Sequence, residues 1–367
     1  MESDQPILQN ILSMGNGATW QASIDLADQT VVEWLNGHKS NNFSRIVFIG
    51  CGTSLYNGRV GKYVVEHLAK IQAEALPSFT FGSYAEPSLL GPDTLVIGIS
   101  KSGETQATCN ALSHARLSGA TTLALTATPG SSITTAGDGF LLTGGQSDQA
   151  SAKTKSYIQA LIAIYLLSIR LSEVRDVAGA SLRKDWLNQV DLAAQGAAGF
   201  LDHQRAEIKQ LAEQYSTASN VFILGSGPNL GTAGEASLKV VEMVKMFSEA
   251  QELENFLHGR ISEVDQENPF FFIAPAGRSS ERVLDFLTVT HQIGAPSIVL
   301  TDQATPGIRR LATHVIQMPI TLDEFATPLL YILPLYLFAF DLAVHRSLDP
   351  GSSRYNIRPQ KVRFVEE

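Results

Sequence analysis

At 367 residues the chain is long enough for two domains, each with a full hydrophobic core. With 44% hydrophobic and 17% charged residues it has the composition of an ordinary folded protein without low-complexity tracts. A net charge of −9 argues against nucleic acid or an anionic membrane as partner, although backbone N–H groups and a lysine can still hold a small anion inside an acidic protein. Only Cys51 and Cys109 occur, and the N-terminus, Met1-Glu2-Ser3-Asp4, is acidic where a signal peptide is basic; both point to a reducing, cytoplasmic setting.

Residues 1–44 alternate polar and apolar positions at helical spacing and form a helical lead-in. Over 45–172, strands rich in Val, Ile and Phe alternate with helical stretches, Val60–Ile71 and Gln106–Leu117, the pattern of parallel strands joined by helical crossovers. Tyr157 to Leu171 is apolar on nearly every face, which predicts a helix buried between two halves. Residues 173–217 are amphipathic connecting helices, and 218–345 form a second α/β unit. Its longest apolar run, Leu329 to Val344, contains Pro334 and Asp341 and is too short to span a bilayer comfortably, so it predicts a buried helix. Residues 346–367, with Asp349-Pro350-Gly351-Ser352-Ser353, read as an extended tail.

The two units repeat one another. Arg45 to Gly52 and Asn220 to Gly227 both run from a short apolar strand into a glycine turn, and Gly225 follows Gly50 by 175 residues. The strand ends at Ser100 and Pro275, and at Thr126 and Thr301, share that offset, so the chain contains a duplicated domain. The copies differ in chemistry. The first ends its strands in Cys51-Gly52-Thr53-Ser54 and Ser100-Lys101-Ser102-Gly103-Glu104-Thr105; the second has Gly225-Ser226-Gly227-Pro228 and Pro275-Ala276-Gly277.

Ligands of doubly wound parallel sheets sit beyond the carboxyl ends of the strands, where helix N-termini present free N–H groups. Thr53, Ser54, Ser100, Ser102 and Thr105 fall there, a hydroxyl set of phosphate size in the first copy only. Taken singly, each loop also fits plain helix capping. No metal-ligand spacing, dinucleotide fingerprint or P-loop is present, so neither a metal nor another cofactor is expected.

These two loops resemble those of the tandem sugar isomerase (SIS) domain family, in which each domain is a parallel β-sheet flanked by helices in an α-β-α sandwich. The chain is most similar to the isomerase half of glucosamine-6-phosphate synthase and to its glutaminase-free relatives, the sugar-phosphate deaminases and 6-phosphofructosyl-amino-acid deglycases. The resemblance implies that Thr53, Ser54, Ser100, Lys101, Ser102 and Thr105 hold a sugar phosphate, with Cys51, Gly52, Lys153 and Glu235 also at the substrate. Lys153 lies in Ala152-Lys153-Thr154-Lys155-Ser156-Tyr157, similar to the segment that closes over the sugar. In the second copy, Glu235-Ala236-Ser237-Leu238-Lys239-Val240-Val241-Glu242 and Phe256-Leu257-His258-Gly259 match the family's glutamate base and the ring-opening histidine sixteen residues on. That histidine is lent by the neighbouring subunit in the synthase, which implies a homodimer sharing His258. Lys361 is a weaker counterpart of the tail lysine, because its spacing from Asn356 differs, and Arg260 stands where the family has proline.

Aldose to ketose isomerisation needs a cyclic sugar opened, a proton moved between C1 and C2, and the enediolate stabilised. A histidine and a shielded glutamate suffice. Lys239, three residues before Glu242, shares its helix face and is placed either to hold that carboxylate or to meet the enediolate; a surface ion pair is the alternative. Glu249, Glu252, Glu254, Glu263, Asp265 and Glu267 flank His258 as a solvated face or as a receiver for an ammonium group. Residue 2 is Glu2 where a glutaminase nucleophile would be cysteine, so the expected direction is amine release. A 6-phosphofructosyl-amino-acid deglycase is the leading expectation, with the acidic cluster and Arg260 receiving the amino acid. A glucosamine-6-phosphate deaminase or isomerase and a non-catalytic sugar-phosphate sensor are the alternatives.

Overall fold

The computed structural model describes residues 5–37, 42–144, 148, 150–177 and 181–355. It contains two parallel five-stranded sheets flanked by helices. The first has the order β2-β1-β3-β4-β5, from β1 (Arg45–Gly50), β2 (Gln72–Pro77), β3 (Thr94–Ile99), β4 (Thr121–Thr126) and β5 (Gly139–Leu142). The second repeats that order as β7-β6-β8-β9-β10, from β6 (Asn220–Leu224), β7 (Phe247–Gln251), β8 (Phe270–Ile273), β9 (Ser297–Thr301) and β10 (His314–Gln317). The 175-residue offset therefore extends to both edge pairs, β2 with β7 and β5 with β10. Sequence patterning missed these because Gln-Ala-Glu-Ala-Leu-Pro and Phe-Ser-Glu-Ala-Gln carry little apolar character, as edge strands permit.

The acidic segment before His258 is ordered as the edge strand β7 followed by the helix Leu253–Leu257. The Val60–Ile71 stretch is corrected, since its helix starts at Thr53, directly after the glycine turn, and ends at Leu68. The turn itself is duplicated closely. Gly52 and Gly227 cap their helices at φ 56°, ψ −128° and φ 55°, ψ −131°, a region that side chains with a Cβ disfavour.

Two helices are long and apolar enough to cross a membrane by length and composition, Lys155–Val174 and Pro328–His345. Their apolar windows are 83% and 89% buried inside the protein, so they are its core helices. Asp341, conspicuous in the apolar run, is neutralised there by the guanidinium of Arg205 from a connecting helix. Tyr165 reaches across from the first core helix to the Phe325 carbonyl just before the second.

The two units meet along their first crossover helices, Thr53–Leu68 and Pro228–Val244. A Cβ on Gly234 would lie 2.2 Å from the Tyr56 ring, and one on Gly231 would lie 2.7 Å from the Val60 side chain. Glycine at these positions lets the helices approach closely enough for side chains of the second unit to enter the ligand loops of the first.

Candidate functional site

At the carboxyl ends of β1, β3 and β4 a cavity of about 250 Å³ opens between the units. Cys51, Gly52, Thr53 and Ser54 line it from the first helix N-terminus, Lys101, Ser102 and Thr105 from the second, and Lys153 and Ser156 from the segment entering the first core helix. Glu242 closes it from the second unit. Among the expected phosphate ligands, Ser100 does not line the cavity; its hydroxyl is buried and pairs with that of Thr105 at 3.0 Å, fixing the loop from behind. Asn57 and Thr143 also line the cavity and were not singled out from sequence. Asn57 was findable, being one helical turn beyond Ser54 on the same face.

Behind Glu242 lies a buried charge cluster. Lys239 is fully buried, and its Nζ donates to Glu242 Oε2 at 2.6 Å and to Thr53 Oγ1 at 3.0 Å, while Glu235 Oε1 lies 3.3 Å away. Glu235 is also fully buried and accepts a 2.9 Å hydrogen bond from the Tyr336 hydroxyl. Burial pushes the Glu235 carboxyl up to about 7, with the Glu242 charge adding to the shift and Lys239 opposing it. Burial alone would drive the Lys239 ammonium toward neutrality, but the two carboxylates outweigh it and hold its pKa above the ordinary lysine value. One ammonium thus serves two carboxylates. The surface-pair alternative for Lys239 is excluded by this burial.

His258 stands elsewhere. It does not line the cavity; its side chain is 74% exposed, with Nε2 3.4 Å from Glu254. The surrounding acids are engaged locally. Glu249 and Glu263 pair with Arg260 at 3.2 and 2.9 Å, Glu254 pairs with Arg282 at 2.7 Å, and Asp265 accepts the Asn268 and Glu267 backbone N–H groups. Neither they nor Arg260 line the cavity of their own chain. Lys361 lies outside the described residues.

The equivalent cradle of the second unit is a cavity of about 280 Å³ whose wall carries the carboxylates Glu252 and Glu324 as well as Arg278 and Arg282. Glu324 accepts the Arg278 N–H at 3.3 Å and sits where a Cβ on Gly277 would meet its carboxyl carbon at 2.7 Å. Glu252 accepts the Ser226 hydroxyl at 3.0 Å, and Pro228 stands in place of Thr53.

Residues 41–170 and 214–346 each match the SIS domain. The chain belongs to the SIS domain family. It is 30% identical over 317 residues to the glutamine–fructose-6-phosphate aminotransferase of Corynebacterium diphtheriae, covering 85% of this chain and 50% of that protein. With the Gloeobacter violaceus enzyme of the same name it shares 32% identity, covering 85% and 51%. The chain thus spans about half the length of these relatives. Its fold matches the C-terminal domain of glucosamine-fructose-6-phosphate aminotransferase from Francisella tularensis with a TM-score of 0.84 at 20% identity, covering 95% and 98% of the two chains. It also matches glucosamine-6-phosphate deaminase from Thermotoga maritima with a TM-score of 0.71 at 18% identity, covering 94% and 96%.

Proposed function

We propose that this SIS protein is an enzyme that moves a proton between C1 and C2 of a phosphorylated sugar and releases an amine from it, as a 6-phosphofructosyl-amino-acid deglycase. The observation that carries this reading is the meeting, in one cavity, of the first unit's hydroxyl loops with Glu242 of the second. Hydroxyls and helix N-termini suit a phosphate, and a half-exposed carboxylate beside it suits proton transfer at the far end of a six-carbon chain. In this scheme Glu242 takes a proton from C1 of the open ketosamine and returns it to C2. The resulting C1 imine adds water and breaks its C–N bond, leaving a hexose phosphate and the free amine. Lys239 positions Glu242, and its charge, with the Thr53 hydroxyl, offsets the enaminolate oxygen that develops at C2. Ring opening falls to His258 contributed by a second copy of the chain, in keeping with its exposure away from the cavity.

A second reading, deamination of glucosamine 6-phosphate, is favoured by the name of the Thermotoga maritima neighbour. Incubation with phosphorylated Amadori compounds and with hexosamine phosphates, measuring hexose phosphate and free amine, separates the two. Absence of amine release from every member of the panel, with sugar phosphate still bound, would leave a sugar-phosphate sensor instead.

A further inference from the structure

Three lysines lie near one another at the cavity, Lys101 on the hydroxyl loop after β3 and Lys153 and Lys155 on the segment that enters the first core helix. Lys101 and Lys153 both line the cavity. Their ammonium groups donate to the same oxygen, the Asp148 carbonyl, at 2.9 Å each, so they stand within two hydrogen-bond lengths of each other. Lys153 also donates to the Ala150 carbonyl. Lys155 lies close enough to repel Lys101.

Carbonyl oxygens satisfy the donors without cancelling the charge. The nearby carboxylate is that of Asp148, and its oxygens are already in use: Oδ1 accepts Asn10 Nδ2 at 2.7 Å, and Oδ2 accepts the Thr154 N–H at 2.8 Å and the Ser156 hydroxyl at 3.4 Å. Among the described residues neither Lys101 nor Lys153 donates to a carboxylate oxygen. Burial, and next the charge of Lys153, hold the Lys101 ammonium below the ordinary lysine value, and the single Asp148 carboxylate opposes this without offsetting three neighbouring lysines. The phosphate already has four hydroxyls at two helix N-termini, and Lys153 reaches the cavity from the segment entering the first core helix, which carries none of those four.

We propose that Lys101 and Lys153 form a second anion subsite, so that the substrate carries, besides its sugar phosphate, a further anionic group, a carboxylate or a second phosphate. This rests on the sugar-phosphate reading and narrows it: a substrate with a carboxylate on its amine fits, and a plain hexosamine phosphate leaves the lysines without a partner.

Calorimetric titration of the full chain tests it with matched probes: inorganic phosphate, 6-phosphofructosyl-methylamine, 6-phosphofructosyl-glycine, fructose 6-phosphate and fructose 1,6-bisphosphate. Adding the carboxylate to the methylamine compound, or the second phosphate to fructose 6-phosphate, is expected to tighten binding about tenfold or more, the scale of one charge-assisted hydrogen bond; which pair responds tells carboxylate from phosphate. Lys153→Met collapses that ratio and Lys153→Arg keeps it. Equal affinities within both pairs, or a Lys153→Met loss that is the same for inorganic phosphate as for every other probe, would overturn the subsite and leave the sugar-phosphate reading intact. Failure of all the sugar phosphates to bind would remove both.

Discussion

Lys239, on a helix of the second SIS unit, donates a 3.0 Å hydrogen bond to the hydroxyl of Thr53, the first helical residue after the glycine turn of the first unit. The same ammonium holds Glu242, so the candidate base and a candidate phosphate ligand are tied through one buried cation.

The first prediction concerns the carboxylate on the other side of that cation. Glu235 keeps its proton up to about pH 7 in the folded chain, against an ordinary value of 4.5. Across that window the folded state binds a proton that the unfolded state has released, so Glu235 makes stability fall as pH rises from about 4.5 through 7. Glu235→Gln mimics the protonated form and is expected to flatten this part of the profile, by up to about 3 kcal/mol between the ends of the window. Urea unfolding of both proteins from pH 4.5 to 8 measures the difference; parallel profiles would contradict the shift.

Glu242→Gln keeps the shape of the cavity and removes the base. Turnover is expected to fall about a hundredfold or more with substrate binding largely kept, since positioned acid–base groups supply roughly 10² to 10⁴. Exchange of the C1 proton with deuterated solvent, followed by NMR, reads the step directly, and normal exchange in the variant would place the base elsewhere.

Ser102→Ala with Thr105→Ala removes two hydroxyls from the cavity wall, at roughly 1 to 2 kcal/mol of phosphate affinity each. The second unit's cradle, with Glu252 and Glu324 in its wall, is expected to bind no sugar phosphate, so titration of the unmodified chain with fructose 6-phosphate should give one site per chain. Unchanged affinity in the double variant would refute the cradle assignment.

If His258 is lent between copies, Glu242→Gln and His258→Ala homodimers are each inactive, and subunit exchange between them restores about a quarter of wild-type activity. Half of the dimers are then mixed, and one site in each has both residues intact. No recovery, with exchange verified by differently tagged chains, would put His258 to work within its own chain or remove it from the reaction.

Much of this architecture was legible in the sequence because the central strands carry strong signals. β1, β3 and β4 and their counterparts are apolar runs, and their common offset exposed the duplication. The edge strands β2 and β7 were hidden because one side of each faces solvent and needs no apolar pattern. Within the site, Glu242 and the hydroxyl loops were readable from spacing and chemistry. The counter-ion problem at Lys101 and Lys153 was not, because it depends on how Asp148 distributes its oxygens among Asn10, Thr154 and Ser156, 138 residues from end to end for the longest of those contacts. Nor could sequence reveal that Arg260 is held by Glu249 and Glu263.

The glycine-lined crossing of the two crossover helices has a consequence for biogenesis. Thr53 leaves the ribosome long before Lys239, so a nascent chain ending anywhere before the Pro228–Val244 helix holds an open half-cavity with no carboxylate wall. Ligand that needs both walls binds only after the units dock, and its binding free energy then adds to the docked state alone. Metabolite supply would thereby set how rarely the docked units of a finished chain reopen.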